Sequence, residues 1–259
     1  MDAFVFALLI TTLAGLSTGI GGLIAVLVKQ TNKNFLTFSL GFSAGVMIYV
    51  SFVEILPNSV EIATNTNSVY GKAFATFAFF IGIAIIAVID KLIPESSNPH
   101  EFSASLDEKR SLMRTGIFTA IAIAIHNFPE GLATFIASYS DPKLALPIAF
   151  AIALHNIPEG IGVAAPIYKA TNDKKRALIY STTSGFAEPV GGVIGFLVLA
   201  PFLNEFILAM VLSIAAGIMV FISIDELLPA ARAYGRHHVS IAGFIAGMLI
   251  MAISLLIIN

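Results

Sequence analysis

Neither cysteine nor tryptophan occurs among the 259 residues, and charged residues make up only 12%. Without cysteine, disulfides, thiolate metal sites and cysteine nucleophiles are excluded together. The shortage of charge argues against a soluble surface, on which Asp, Glu, Lys and Arg account for about a quarter of residues. Apolar residues fill the gap: 57% of the chain is hydrophobic and its mean hydropathy is +0.90. The composition is that of a membrane protein. A net charge of -2 says little by itself; where the charges fall says more.

Windows of about 20 residues, the length that crosses a hydrocarbon core, divide the chain into eight apolar segments. They run from about Ala3 to Val28, Phe35 to Leu56, Gly71 to Ile93, Arg114 to Ser138, Leu144 to Ile167, Arg176 to Phe202, Phe206 to Leu228, and Ser240 to Ile258. Their period is helical and lacks the alternation of barrel strands, so the predicted fold is an all-α integral membrane protein forming one domain over 1–259. The opening "MDAFVF" has no basic region and the first apolar run is long, so it is read as a retained span and not as a cleaved signal.

Basic residues are sorted by side. Lys29 and Lys33, then Lys91, Lys109, Arg110 and Arg114, then Lys169, Lys174, Lys175 and Arg176, then Arg232 and Arg236 all fall on one face of the eight-span arrangement. Only Lys72 and Lys143 fall on the other. The positive-inside rule places the first group in the cytoplasm and both termini outside. The longest loop, about 94–112, is polar and cytoplasmic by this reading, and its one histidine, His100, makes a poor metal-sensing tract.

"AGVMIYVSFVEILP" (44–57) returns as "AGIMVFISIDELLP" (216–229), and Thr12, Gly15, Gly21 and Gly22 of the first segment align with Thr182, Gly185, Gly191 and Gly192 of the sixth. Segments one and two therefore resemble six and seven. Five spans separate the copies, an odd number, so they cross in opposite directions. The expected architecture is 3+2+3 with an inverted repeat between spans 1–3 and 6–8, a plan found in secondary transporters that bind substrate near the midplane.

Segments four and five, between the halves, carry "HNFPEG" (126–131) and "HNIPEG" (155–160). Ionisable groups at membrane depth cost a few kcal/mol each and mark sites or pathways. Glu130, Glu159 and Glu188 lie near the middle of their segments with no Lys or Arg at that depth. Such carboxylates either stay protonated or are balanced by a cation. His126 shares a helical face with Glu130, and His155 with Glu159. Asn127 and Asn156, turned about 100° round the helix, offer amide oxygens to a neighbouring point. Nitrogen and oxygen donors suit Zn²⁺, Fe²⁺, Mn²⁺ or Co²⁺ better than Cu(I). Pro129, Pro158 and Pro189 adjoin the three glutamates and are expected to kink their helices, freeing the carbonyls of Ile125, Leu154 and Gly185.

The remaining polar residues have plainer readings. His237, His238 and Asp90 are read as packing or loop residues. Glu54 (outside) and Asp225 and Glu226 (inside) sit at helix ends, where a solvated or capping role is the first reading and a pathway relay the second. Met47 and Met219 read as core, with a thioether in the pathway wall the lesser view for Met47.

The paired HNxPEG motifs, "GFAEPVGG" (185–192), the eight spans and the repeat resemble the ZIP (Zrt/Irt-like) divalent metal transporters, in their bacterial ZupT-like branch. The resemblance covers essentially the whole chain. It implies uptake of zinc, together with iron, manganese, cobalt or cadmium, across the cell (plasma) membrane into the cytoplasm, and no catalytic cofactor. It also implies a binuclear site bridged by Glu130 and Glu159, one ion with His155 and His126, the other with Asn127, Asn156 and Glu188. The partners so implied are divalent metal ions and the lipid bilayer, with a homodimer allowed and no nucleic acid. The sequence leaves a metal-selective channel open as an alternative. An intramembrane metalloenzyme is a weaker one, because HExxH is absent.

Overall fold

The computed structural model describes residues 2–27, 33–67, 69–92, 108–140, 142–199, 204–232 and 236–258. Most of the loop expected at about 94–112, including His100, lies outside them, as does Lys29. Every regular element among the described residues is helical, and the elements stack into eight columns. The first is α1 (Ala3–Leu27). The second is α2 (Lys33–Val50) continued through a π-turn (Ser51–Ile55) into α3 (Leu56–Thr66). The third, fourth and fifth are α4 (Gly71–Leu92), α5 (Glu108–Ser140) and α6 (Pro142–Thr171). The sixth is α7 (Lys174–Gly185), α8 (Ala187–Ile194) and a π-turn (Gly195–Leu199). The seventh is α9 (Glu205–Ile222), a π-turn (Ser223–Leu227) and α10 (Leu228–Arg232). The eighth is α11 (His237–Ile258).

Six of these columns are long and apolar enough by length and composition to cross a membrane. Their outward faces carry large apolar side chains and their inward faces small polar ones: Leu13, Phe77 and Leu256 are more than half exposed, while Thr11, Ser43, Thr119 and Ser213 are fully buried. Polar side chains turned inward and large apolar ones turned outward is the pattern of a bundle solvated by lipid. Several of the buried hydroxyls bond their own helix: Thr11 donates to Ala7 O (2.9 Å), and Ser51 and Ser223 donate to Met47 O and Met219 O (both 2.7 Å), whereas those of Ser43, Thr119 and Ser213 have no partner among the described residues.

Two departures from the sequence reading involve prolines. The second column does not end at Leu56 but runs on to Thr66, because Pro57 falls in the first turn of α3, where a missing N–H costs no hydrogen bond. The sixth column is broken at Phe186, where Pro189 cannot bond the Gly185 carbonyl. The other two prolines leave α5 and α6 continuous in helical assignment. A tight link joins α6 to α7: Asn172 takes φ 57°, a left-handed conformation Asn tolerates, and Asp173 caps α7 by accepting from Arg176 N at 3.0 Å.

The packing contacts come in matched pairs. α2 lies along α11 and α9 along α4; α1 lies along α6 and α8 along α5. Each pair exchanges one segment for its sequence repeat. The match extends to single residues: a Cβ on Gly45 would strike the Phe244 carbonyl, and one on its repeat mate Gly217 would strike the Phe79 carbonyl. Small residues at both places let the backbones touch. The apolar core lies mainly beside α2, α5, α6 and α9, around Leu40, Met47, Ile123, Ile167 and Ile222.

Candidate metal centre

α5 and α6 bring their motifs face to face. His126 Nε2 lies 3.1 Å from Glu159 Oε1, and His155 Nε2 lies 2.9 Å from Glu130 Oε1. An early residue of one motif thus meets a late residue of the other, as antiparallel helices require. The sequence places each imidazole on the same face as the glutamate of its own helix; in the structure each imidazole closes on the glutamate of the facing helix. Both glutamates are thereby drawn to the seam between α5 and α6.

The third carboxylate comes from α8. Glu188 is fully buried, accepts a hydrogen bond from Asn156 Nδ2, and lies within Coulombic range of both Glu130 and Glu159. The break at Phe186 starts α8 just ahead of Glu188. The two asparagines also anchor neighbouring backbones: Asn156 Nδ2 donates to Ala14 O (3.1 Å) and Asn127 Nδ2 to Ser184 O (3.3 Å). Four elements, α1, α5, α6 and α8, with α7 beside them, therefore meet at one point. Glycines make that approach possible, since a Cβ on Gly131 would collide with the Glu188 backbone and one on Gly160 with that of Thr18.

Of the seven residues marked by sequence, six are at most 3% exposed, and the Glu130 side chain, 15% exposed, is the most accessible. Asn127 Oδ1, Asn156 Oδ1, Glu130 Oε2, Glu159 Oε2 and Glu188 Oε2 are buried with no hydrogen-bond partner among the described residues. An unsatisfied buried acceptor costs about 1–3 kcal/mol, more if charged, so five of them in one place call for a positive partner. Carboxylate and amide oxygens beside two imidazoles form a donor set suited to a borderline or hard divalent cation.

The outlying residues divide. Glu54 is half-buried and accepts from Asn58 Nδ2 at 3.0 Å within its own helical turn, as an interfacial acid would. Met47 is fully buried in the apolar core, and Met219 almost so. His237 and His238 are exposed and meet edge to face. Asp225 and Glu226, read first as solvated helix-end acids, are instead gathered with Asp90. Their carboxylate oxygens lie within 4.8 Å of one another, Glu226 is only 2% exposed, and Arg114 stands within Coulombic range of Glu226 and Asp90. Glu226 lies within the π-turn at Ser223–Leu227 and is buried there with Ser223 and Leu227. Asp90 was not among the sequence candidates; its position at the inner end of its segment, on the same side as the Asp225–Glu226 pair, is the signal that would have found it.

Comparison with known proteins agrees in outline. A family model described as "ZIP Zinc transporter" matches residues 3–90 and 92–255. The zinc transporter ZupT of Streptococcus mutans is 58% identical over 255 residues, covering 97% of each chain. That of Clostridium perfringens is 52% identical, over 99% of this chain and 97% of its own, and that of Chlorobium limicola is 54% identical over the whole of both.

Proposed function

The chain belongs to the ZIP zinc transporter family, in its ZupT-like branch, and is a zinc transporter rather than an enzyme; on that premise we propose that it moves zinc, and with it iron, manganese, cobalt or cadmium, inward across the cell membrane through a binuclear site. The two ions share Glu130 and Glu159. One is completed by His126 and His155, the other by Asn127, Asn156 and Glu188. The observation that carries this reading is the meeting of three buried carboxylates with five buried oxygens lacking hydrogen-bond partners. A pair of divalent ions offsets the three negative charges, which no Lys or Arg of these motifs balances.

The topology proposed with it is 3+2+3, with an inverted repeat and both termini outside. The matched contacts of α2 with α11 and α9 with α4 support it, as does the crowding of basic residues on one side. Transport then proceeds by alternating access: the α5–α6 pair carries the ligands, and the repeated halves move about it. Protonation of the imidazoles and carboxylates competes with the metal and aids its release.

Zinc uptake into vesicles holding the purified protein tests the site. Glu130→Ala and Glu159→Ala each lose a bridging ligand, so each should slow uptake by on the order of 100-fold or more, beyond the 10–100-fold typical of groups that only support a ligand. Parent-like uptake by both, at equal protein content, rules the binuclear site out.

A further inference from the structure

The repeat that aligns Gly15 with Gly185 also aligns Thr18 with Glu188, and the structure keeps that equivalence in detail. Gly131 abuts the Glu188 backbone, and Gly160, its partner in the second motif, abuts the Thr18 backbone. A Cβ on Gly15 would stand 3.3 Å from the Cβ of Glu188, and one on Gly185 would stand 2.8 Å from that of Thr18. Asn156 donates to Ala14 O and Asn127 to Ser184 O, which are equivalent carbonyls. Residue 18 therefore stands to the α5–α6 seam on one side as residue 188 stands to it on the other.

Thr18 is fully buried, and its Oγ1 has no hydrogen-bond partner among the described residues. That is unusual for this helix. Thr11 and Thr12 bond the carbonyls four residues back, at 2.9 and 2.6 Å. The carbonyl that Thr18 would use in the same way, Ala14 O, already accepts from Asn156 and from Ser17. The hydroxyl is left over, beside α7, where a Cβ on Gly185 would stand 2.9 Å from it.

The geometry points to Thr18 as a further side chain of the second ion position, presenting a neutral oxygen opposite the Glu188 carboxylate. This rests on the binuclear reading above. The substitution has a chemical sense: a glutamate at both equivalent places would put four carboxylates around two ions and hold them too firmly to release. A hydroxyl completes the oxygen shell without adding charge.

Exchange of the two side chains is the test, with zinc bound per full-length protein measured by titration in detergent. The parent is expected to bind two ions and Glu188→Thr one. The doubly exchanged protein, Thr18→Glu with Glu188→Thr, should regain the second, because Gly185 leaves residue 18 the room that Gly15 leaves residue 188. If the exchanged protein is monodisperse and still binds one ion, Thr18 is a packing residue and the inference fails. If it is not monodisperse, Thr18→Val and Thr18→Ser decide: Val should weaken the second ion by on the order of tenfold while Ser leaves it unchanged, and parent-like binding by Val overturns the assignment. Glu130→Ala is run alongside; two ions retained there would sink the binuclear reading itself, a different result from failure of the exchange alone.

Discussion

His126 and His155 each stand against the glutamate of the facing helix, at 3.1 and 2.9 Å. Removing one member of such a buried pair strands the other in a medium of low dielectric, and the loss is largest when the remaining group is charged. Groups in contact do not act additively; their coupling runs to about 0.5–3 kcal/mol. Double-mutant cycles on thermal unfolding, with chelator present, should show such coupling for His126 with Glu159 and for His155 with Glu130. The crossed combinations within one helix, His126 with Glu130 and His155 with Glu159, should couple less. A reversed order would mean that the pairs close within helices, as the i, i+4 spacing by itself suggests. This detail was hidden from sequence, because spacing tells which residues share a face but not which facing helix completes the contact.

Among the elements, the close pairs α2–α11 and α4–α9 are set by glycines against backbone. Gly45→Ala pushes a methyl into the Phe244 carbonyl and Gly217→Ala into the Phe79 carbonyl. Neither obstacle is a side chain that can swing aside, so each change should destabilise by about 1–3 kcal/mol, the usual cost of overpacking. Gly162→Ala, whose new methyl would come no nearer than 3.2 Å to the Ser43 hydroxyl, is the mild comparison. Thermal midpoints in one detergent order the three, and a Gly162 variant as damaged as the others would undo the argument. Small residues at four-residue spacing, Gly41 with Gly45 and Gly243 with Gly247, mark the α2–α11 contact in the sequence. The π-turns were not readable. An extra residue in a helical turn leaves no compositional mark, so "SFVEI" and "SIDEL" looked like ordinary interfacial helix. The burial of Glu226 and its meeting with Asp90 were lost with them.

For the molecule as a whole, the number of columns and the apolar exterior follow from hydropathy, because lipid imposes length and backbone pairing on each crossing. The three-dimensional meeting of α1 with the metal motifs does not follow from it, since Thr18 lies in an apolar run and only the repeat alignment singles it out. The sorting of basic residues proposes a direction that can be checked without any background labelling, since the chain has no cysteine. In the proposed topology Asn67, in the link after α3, lies outside, and Asp173, beside Lys174, Lys175 and Arg176, lies in the cytoplasm. A single cysteine at 67 (Asn67→Cys) should react with a membrane-impermeant maleimide on intact cells. One at 173 (Asp173→Cys) should react only after the membrane is opened. Labelling of the second but not the first on intact cells would invert the whole arrangement, and with it the direction in which the site would deliver zinc.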